Sequence, residues 1–298
     1  MYHCILVPLD GSAFAEHALP IALGIARRSG ATLDLVRAHV PYAIEAPAAA
    51  APVFDPTIDT VLEHQERAYL ESVAKRLREV APVRITAAVV SGLAADGIVE
   101  RAAQTSAELI VSATHARGPL GRFWLGSVAD ELIRLAPVPL LLLHPHEETV
   151  ELAREPSFKR ILVPLDGSGL AERVLEPAVE LGRTTAAELV LLRVVDATAR
   201  NAADQRSTDD AQADAQKYVE LVAANLRLKG LAVHTEIMSG QPADAILERS
   251  NREVDLVALS THGRTGLMRL FLGSVADKVL RRIAVPLLLV RPPAESRS

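Results

Sequence analysis

The sequence predicts an α/β protein made of two tandem copies of one doubly wound domain. The segment Ile5-Leu-Val-Pro-Leu-Asp-Gly-Ser12 recurs as Ile161-Leu-Val-Pro-Leu-Asp-Gly-Ser168, and Leu-Gly-Ser-Val-Ala-Asp occurs twice, ending at Asp130 and at Asp277. The copies lie about 150 residues apart, a period too long for a solenoid unit and typical of a whole domain. Within each copy, apolar runs alternate with amphipathic segments, which is the pattern of strands and helices in a mostly parallel sheet.

Each copy begins with a predicted strand, a turn and a helix. The runs Cys4–Leu9 and Arg160–Leu165 are apolar at nearly every position, as expected of strands that are covered on both faces. Each run leads into a Pro-Leu-Asp-Gly-Ser turn. The segments Ala13–Ser29 and Ala171–Arg183 follow, with apolar residues at helical spacing, so we predict a helix after each turn.

The remaining elements of each copy follow the same alternation. We predict the other strands at Thr32–Val40, Val83–Val90, Leu109–Ser112 and Pro139–Leu143, and at Glu188–Val195, Ala232–Met238, Leu256–Ser260 and Pro286–Val290. We predict the other helices at Ile58–Val80, Ala95–Thr105 and Val128–Leu135, and at Ala211–Lys229, Ala243–Asn251 and Val275–Ile283. Each copy therefore has five strands, with helices on both faces of the sheet.

Three segments are predicted to connect these elements. The Ala- and Pro-rich stretch Pro41–Pro56 is expected to form a mobile flap without strands, and Ala197–Asp210 is expected to be unstructured. The charged stretch Glu147–Ser157 contains a proline and reads as a linker. We therefore assign residues 1–146 to the first domain, 147–157 to the linker, 158–293 to the second domain and 294–298 to a tail.

Composition excludes several classes of partner. The chain carries a net charge of −5 and only 3% aromatic residues, which is neither the charge nor the stacking surface of a nucleic-acid-binding protein. The longest apolar runs are far shorter than the ~20 residues needed to cross a bilayer, so no membrane partner is expected. The single cysteine, Cys4, lies in an apolar run, which favours a buried, inert thiol and a cytoplasmic location.

Polar residues follow the predicted first and fourth strands. In an open parallel sheet, ligands bind beyond the carboxyl ends of strands, where the strand order reverses. Asp10 and Asp166 end the first strands, and Ser112 and Ser260 end the fourth. We expect Asp10 and Ser112 to face one crevice, and Asp166 and Ser260 to face another. The aspartates could contact a ligand there or only bond their own turn.

A glycine-containing loop follows the fourth strand of the second copy. It reads Ser260-Thr-His-Gly263, then nine residues, then Gly273-Ser274 before a helix. Glycine allows close backbone approach, and the amides at a helix N-terminus favour an anion, so a nucleotide phosphate suits this loop. The alternative is an ordinary strand-to-helix turn with serine as the N-cap.

These motifs resemble the universal stress protein family over essentially the whole chain. Its ATP-binding members carry Gly-x2-Gly-x9-Gly-Ser/Thr, and that spacing occurs twice here. The resemblance implies an adenine nucleotide alpha hydrolase-like fold in which the last strands of the two domains pair, giving a pseudo-dimer within one chain. It also implies ATP, or AMP or ADP, as ligand, with Mg²⁺ or Mn²⁺ as an accompanying metal, and association of two chains as a homodimer.

The resemblance also implies which residues bind the nucleotide. In the second copy they are Pro164, Leu165, Asp166, Val194, Leu259, Ser260, Gly263, Arg264, Gly273, Ser274, Val275 and Ala276. In the first copy they are Asp10, Ala38, Ser112, Ala113, Ala116, Gly126, Ser127 and Val128. Arg264 could reach the phosphates or remain a solvated loop residue.

The two copies depart from the motif to different degrees. Ser260 replaces its first glycine in the second copy, whereas Ala113 and Ala116 replace both early glycines in the first. A Cβ at position 116 would disfavour a left-handed backbone conformation by about 1–2 kcal/mol. A penalty of this size would lower the affinity for a ligand roughly tenfold. We therefore expect the second site to bind nucleotide more tightly than the first.

The sequence favours a regulatory, nucleotide-binding stress protein over an enzyme. It contains no P-loop and no evident pair of catalytic acid and base, so no catalytic residue is assigned. His115 and His262 have no further ligand at a metal-binding spacing, so no metal ligands are assigned either. The alternatives are a slow ATPase or adenosine-phosphate hydrolase, or a nucleotide-free dimerisation scaffold, the latter more suited to the first copy.

Overall fold

The computed structural model describes residues 1–41, 43–44, 53–54, 56–114, 126–144, 150–153, 158–195, 202–261 and 272–291. The first half contains β1 (Cys4–Pro8), α1 (Ala13–Glu16), α2 (Ala18–Ser29), β2 (Thr32–His39), β3 (Ala43–Ile44), β4 (Val53–Phe54), α3 (Pro56–Val80), β5 (Ile85–Ser91), α4 (Ala94–Gln104), β6 (Leu109–Ala113), α5 (Ser127–Leu135) and β7 (Leu140–Leu143). The second half contains β8 (Arg160–Pro164), α6 (Gly169–Glu172), α7 (Leu175–Thr185), β9 (Glu188–Val195), α8 (Ala202–Leu228), β10 (Val233–Ser239), α9 (Pro242–Ser250), β11 (Leu256–Ser260), α10 (Ser274–Leu280) and β12 (Leu287–Val290).

The predicted α/β fold is confirmed. Ten strands of the described chain form one sheet in the order β10-β9-β8-β11-β12-β7-β6-β1-β2-β5. Neighbouring strands within each half are parallel. In each half the chain first adds strands on one side of the first strand and then crosses to the other side. The strand order therefore reverses between β1 and β6, and between β8 and β11.

The two halves meet through their last strands. β7 and β12 are antiparallel, with Leu140, Leu141 and Leu142 opposite three leucines of β12. These leucines are almost completely buried because helices cover both faces of the sheet. Helices α2, α3, α7 and α8 contribute to the core on one face, and α4, α5, α9 and α10 to the core on the other. The last strands of the two halves are therefore adjacent and antiparallel, which is compatible with the pairing that the family resemblance implied.

The first helix of each half differs from the prediction, since it is divided into two. α1 ends at Glu16 and α2 begins at Ala18, and α6 and α7 are separated in the same way. Pro20 in α2 has no backbone N–H to donate to the carbonyl of Glu16, four residues earlier, and Pro177 has the same effect in α7. The proline therefore prevents a continuous ladder of helical hydrogen bonds across the junction.

The expectations for the two connecting segments are wrong in part. Within Pro41–Pro56, β3 and β4 form a short antiparallel pair in which Ala43 lies opposite Phe54 and Ile44 opposite Val53. The β-branched and aromatic residues at the ends of this segment suit strand pairing, although the prolines between them do not. Within the segment 197–210, α8 begins at Ala202, where alanine and glutamine favour a helix.

Candidate functional site

A cavity of about 410 Å³ lies at the carboxyl edge of the sheet in the first half. Asp10 after β1, Ala38 at the end of β2 and Ser112 at the end of β6 contribute to its wall, and the turn Gly126-Ser127 closes it. The cavity thus occupies the point where the strand order reverses. Its volume falls within the ~300–1,000 Å³ range of small-molecule sites.

The second half has a matching cavity of about 430 Å³. Asp166 follows β8, Val194 lies near the end of β9 and Ser260 ends β11, and Gly273 and Ser274 form the turn into α10. Because the elements correspond one by one to those of the first half, the duplication has produced two cavities of the same design.

The described residues that the sequence suggested as ligand contacts all line one of these cavities. In the first half they are Asp10, Ala38, Ser112, Ala113, Gly126, Ser127 and Val128. In the second half they are Pro164, Leu165, Asp166, Val194, Leu259, Ser260, Gly273, Ser274, Val275 and Ala276. Ala116, Gly263 and Arg264 lie outside the described residues, as do His115 and His262. That the lining residues bind nucleotide stays a prediction.

The aspartate of each first turn organises that turn. The carboxylate of Asp10 accepts from the amide of Ser12 at 2.9 Å, and Asp166 accepts from the amide of Ser168 at 2.9 Å and from its hydroxyl at 2.5 Å. The serines, and not the aspartates, cap the following helices. Each carboxylate therefore has a fixed position at the mouth of its cavity, which is compatible with a further contact to a ligand.

The backbone at the second turn leaves room beside the helix N-terminus. Gly126 is the N-cap of α5, with φ −69°, and Gly273 is the N-cap of α10. The alternative interpretation, in which serine is the N-cap, is wrong, since Ser127 and Ser274 are the first helical residues. Glycine has no side chain to accept from the first amides of α5, so these amides remain suited to an anion.

Two observations test whether a nucleotide suits these residues. A Cβ built on Gly126 meets no heavy atom within 4 Å, so the glycine leaves open space on the cavity side of the turn. In the second cavity the Oγ of Ser260 is buried and makes no hydrogen bond within the described chain. An orphaned hydroxyl of this kind calls for a partner, such as a ligand atom or a bound water. An apolar wall, a carboxylate and turn amides in one cavity also match a base, a sugar and phosphates.

Sequence reasoning missed several residues that line the cavities. Ile98 on α4 and Ile246 on α9 occupy corresponding places in the walls, and their helical spacing marks them only as core residues. Thr114 and Thr261 follow β6 and β11 and are almost fully buried. The carbonyl of Thr261 accepts from the amide of Gly273 at 2.8 Å. This bond ties the end of β11 to the turn before α10.

The cavities differ at several corresponding positions. Ala113 in the first half corresponds to Ser260 in the second, so only the second cavity has a hydroxyl there. Arg193 lines the second cavity, and its Nη1 donates to the carbonyl of Leu165 at 3.4 Å. Its counterpart Arg37 instead lies 5.4 Å above the ring of Tyr69 and pairs with Glu66. Because Ser112 of the first cavity corresponds to Leu259, each cavity has three hydroxyl side chains in its wall, and the second differs in polarity by the presence of Arg193.

Neither a metal-binding cluster nor a membrane-spanning helix occurs among the described residues. Among the residues that the structure describes, no three His, Cys, Asp or Glu side chains are arranged to hold a metal ion. None of the helices in the described ranges combines the length and the apolar character needed to cross a bilayer. The thiol of Cys4 is buried, and burial raises its pKa.

Comparison with known proteins identifies related sequences and a related structure. The model of the universal stress protein family matches residues 1–144 and 157–291. A universal stress protein of Mycolicibacterium smegmatis is 27% identical over 297 residues, covering 97% of both chains. Universal stress protein MJ0531 of Methanocaldococcus jannaschii is 29% identical over 142 residues, covering 46% of this chain and 84% of its own. The crystal structure of a universal stress protein from Archaeoglobus fulgidus matches with a TM-score of 0.72 at 22% identity, covering 97% of this chain and 98% of its own, which is a similarity of fold.

Proposed function

The chain belongs to the universal stress protein family, and from that premise we propose that it is a regulatory protein of the stress response that binds adenine nucleotides, chiefly ATP. One observation carries the proposal. In each half, the aspartate after the first strand, the end of the second strand and the Gly-Ser turn line a single cavity at the switch point of the sheet.

The second cavity supplies groups suited to each part of a nucleotide. Val194 and Ile246 offer an apolar wall for the base. The carboxylate of Asp166 can accept from the sugar hydroxyls. The backbone at Gly273 and Ser274 would face the phosphates, which would also bring Mg²⁺ or Mn²⁺, because Mg²⁺ commonly binds through substrate phosphates. These groups bind and orient, and the described part of the cavity provides no pair of acid and base for efficient hydrolysis.

The first cavity is proposed to bind more weakly. Ala113 provides no hydroxyl where the second half has Ser260, and Ala116 stands in place of a motif glycine. The first half could alternatively serve only as a scaffold that pairs with the second. The central pairing of β7 with β12 supports that role whether or not nucleotide binds.

The remaining proposals concern organisation. We retain domains at 1–146 and 158–293, a linker at 147–157 and a tail at 294–298. We also retain association of two chains as a homodimer, and a cytoplasmic location that rests on the single, buried Cys4.

Equilibrium dialysis of the full chain with ATP and Mg²⁺ tests the binding proposal. We expect two bound nucleotides for the wild-type chain and one for either Gly126→Val or Gly273→Val, with the tighter site lost in Gly273→Val. The double variant should bind none. Gly24→Ala is the control, since this substitution lies in α2, away from both cavities, and its Cβ would make only an ordinary contact.

Three results would change this assignment. Absence of bound adenine nucleotide at millimolar ATP and Mg²⁺ would reject the binding function. Phosphate release faster than about one per minute, lost in the two valine variants, would instead assign an enzyme, although a slow one by the usual ~1–10³ s⁻¹ of enzymes. Equal loss of affinity in Gly126→Val and Gly273→Val would reject the ranking of the two sites.

A further inference from the structure

Beside the first cavity, a buried histidine is held between two carboxylates of α3. His39 is the last residue of β2, and its side chain is only 3% exposed. Its Nδ1 lies 2.9 Å from Oε2 of Glu66, and its Nε2 lies 3.0 Å from Oδ1 of Asp59. Ionised carboxylates only accept hydrogen bonds, so both ring nitrogens donate and the ring is an imidazolium. We call these three residues the His39 cluster.

The two carboxylates of the cluster favour the protonated ring, whereas the nearby cation Arg37 opposes it. Burial by itself lowers the pKa of His39, but the hydrogen bonds to Asp59 and Glu66 outweigh it, so the pKa lies above its usual value. Arg37, also on β2, has its Nε 3.4 Å from Oε1 of Glu66. Glu63 on α3 pairs with Arg67 at 2.5 Å and adds negative charge on the same helix. On the neighbouring β5, the residue in register with His39 is a serine.

The cluster joins the end of β2, which borders the first cavity, to the start of α3. Ala38 and Val40, on either side of His39, line the cavity. Asp59 lies in the first turn of α3, which follows the short hairpin of β3 and β4. The bond from His39 to Asp59 therefore ties the end of β2, beside the cavity, to the first turn of α3.

The second half lacks this cluster. The register of β2 with β5 and of β9 with β10 makes Val195 the counterpart of His39. Tyr69 on α3 donates to Glu16 at 3.0 Å, and Tyr218 on α8 donates to Glu172 at 2.8 Å, so the two tyrosines correspond. Glu66 and Ala215 each lie three residues before their tyrosine and are therefore counterparts. The second half therefore provides a natural comparison without the histidine.

We propose that His39 is a positioning residue of the first cavity, and that nucleotide affinity there falls when the imidazolium loses its proton. A neutral imidazole donates through one nitrogen only, so its other nitrogen would face a carboxylate lone pair and one bond would be lost. The end of β2, including Ala38 and Val40 in the cavity wall, would then lose one of its ties to α3. The second cavity has no such dependence. This inference rests on the proposed function for the identity of the ligand.

Binding of ATP as a function of pH tests the inference in the full chain. Gly273→Val leaves the first cavity and Gly126→Val leaves the second, each titrated between about pH 6 and pH 9. We expect first-cavity affinity to fall about tenfold over this range relative to second-cavity affinity, because the loss of one hydrogen bond to a charged group has roughly that effect. The second cavity also corrects for the ionisation of ATP itself.

A double substitution supplies the matched control. His39→Val with Glu66→Ala gives two of the three cluster positions the residues of the second half, leaves Asp59 in place, and should make the two pH profiles alike. A residue of purely structural importance would lower affinity at every pH without changing the profile. Identical profiles for the two cavities in the chain that retains His39 would overturn the inference.

Hydrogen exchange provides a readout that needs no nucleotide. After correction for the intrinsic exchange rate, the amides of residues 60–66 should lose about tenfold in protection between about pH 6 and pH 9, and the double variant should lose none. Unchanged protection in the wild-type chain would also overturn the inference. If the first cavity binds no nucleotide at any pH, the proposed function fails for that half, and the exchange result alone decides whether His39 holds α3.

Discussion

Replacing Asp34 with valine is expected to destabilise the first half by about 3 kcal/mol. Asp34 lies within β2 and its side chain is completely buried. Its carboxylate accepts from Oγ1 of Thr86 at 2.6 Å, from Nε of Arg101 at 2.8 Å and from Nη2 of Arg101 at 2.9 Å. The last two bonds join α4 to β2, and both elements contribute residues to the first cavity.

The magnitude follows from what the substitution leaves behind. Removing one partner of a buried ion pair typically costs 3–5 kcal/mol, because the other charge then lacks compensation. Arg101 is 23% exposed, so water can reach its guanidinium, and the lower end of this range applies. The hydrogen bonding that Arg101 donates to Asp34 is also the main cause of the raised pKa of Arg101. A loss of about 3 kcal/mol corresponds to roughly a hundredfold in the unfolding equilibrium constant.

The second half suggests a second substitution that should restore the lost stability. The counterpart of Asp34 is Val190, yet the corresponding arginine, Arg249, remains paired, with Nε 2.5 Å and Nη2 2.8 Å from the carboxylate of Glu236 on the next strand. The first-half counterpart of Glu236 is Ala88. Adding Ala88→Glu to Asp34→Val should therefore recover at least half of the lost stability. The measurement is urea unfolding followed by circular dichroism.

Two outcomes would refute this reasoning. A loss below about 1 kcal/mol for Asp34→Val would mean that the stranded guanidinium finds water or another partner at little cost. A double variant no more stable than Asp34→Val would mean that a carboxylate on β5 cannot replace one on β2. Ala88→Glu alone is the control for the effect of the added charge.

Three further predictions concern the ends of β6 and β11, the histidine, and the turns after β1 and β8. Ser260→Ala should weaken ATP binding at the second cavity about fivefold, and Ala113→Ser should strengthen it at the first, because a hydrogen bond is worth about 1 kcal/mol; calorimetric titration checks both. Because the pKa of His39 is raised by folding, its stabilisation is complete below about pH 6.5 and is lost as pH rises through the higher folded-state pKa; urea unfolding should show this loss, and His39→Val should abolish it. Gly11→Ala should reduce the melting temperature only slightly more than Gly167→Ala, because both glycines have positive φ (84° and 80°) and a Cβ at Gly11 would in addition displace only the guanidinium end of the flexible Arg37 side chain.

The positions of the strands and of the cavities could be predicted from the sequence because they depend on local pattern. The strand that begins at Cys4 ends within one residue of the predicted boundary, and the strand Leu256–Ser260 has the predicted bounds. Parallel strands place their carboxyl ends at one edge, so Asp166 and Ser260 could be expected to share a crevice. Duplication supported each assignment, because the same pattern occurs at matching positions in two different sequence contexts.

The side-chain partners could not be predicted, because they depend on how distant elements pack. His39 and Glu66 are 27 residues apart, and only the placement of α3 against β2 brings them to 2.9 Å. The pairing of β3 with β4 was missed for a related reason. Two residues in each strand give too short a pattern to recognise, and the intervening prolines argued against any strand.

Comparison of the halves separates what the fold requires from what it permits. The turn after β1 and the turn after β8 have the same glycine conformation and the same serine cap, because the backbone there allows few alternatives. The partly buried arginine of α4 and of α9 needs a carboxylate, and neighbouring parallel strands present side chains at similar distances, so Asp34 on β2 provides it in one half and Glu236 on β10 in the other. His39 has no equivalent because its counterpart is an apolar valine that needs no partner. The two cavities can therefore share one geometry while responding differently to pH, and that difference resides in residues outside the nucleotide motif.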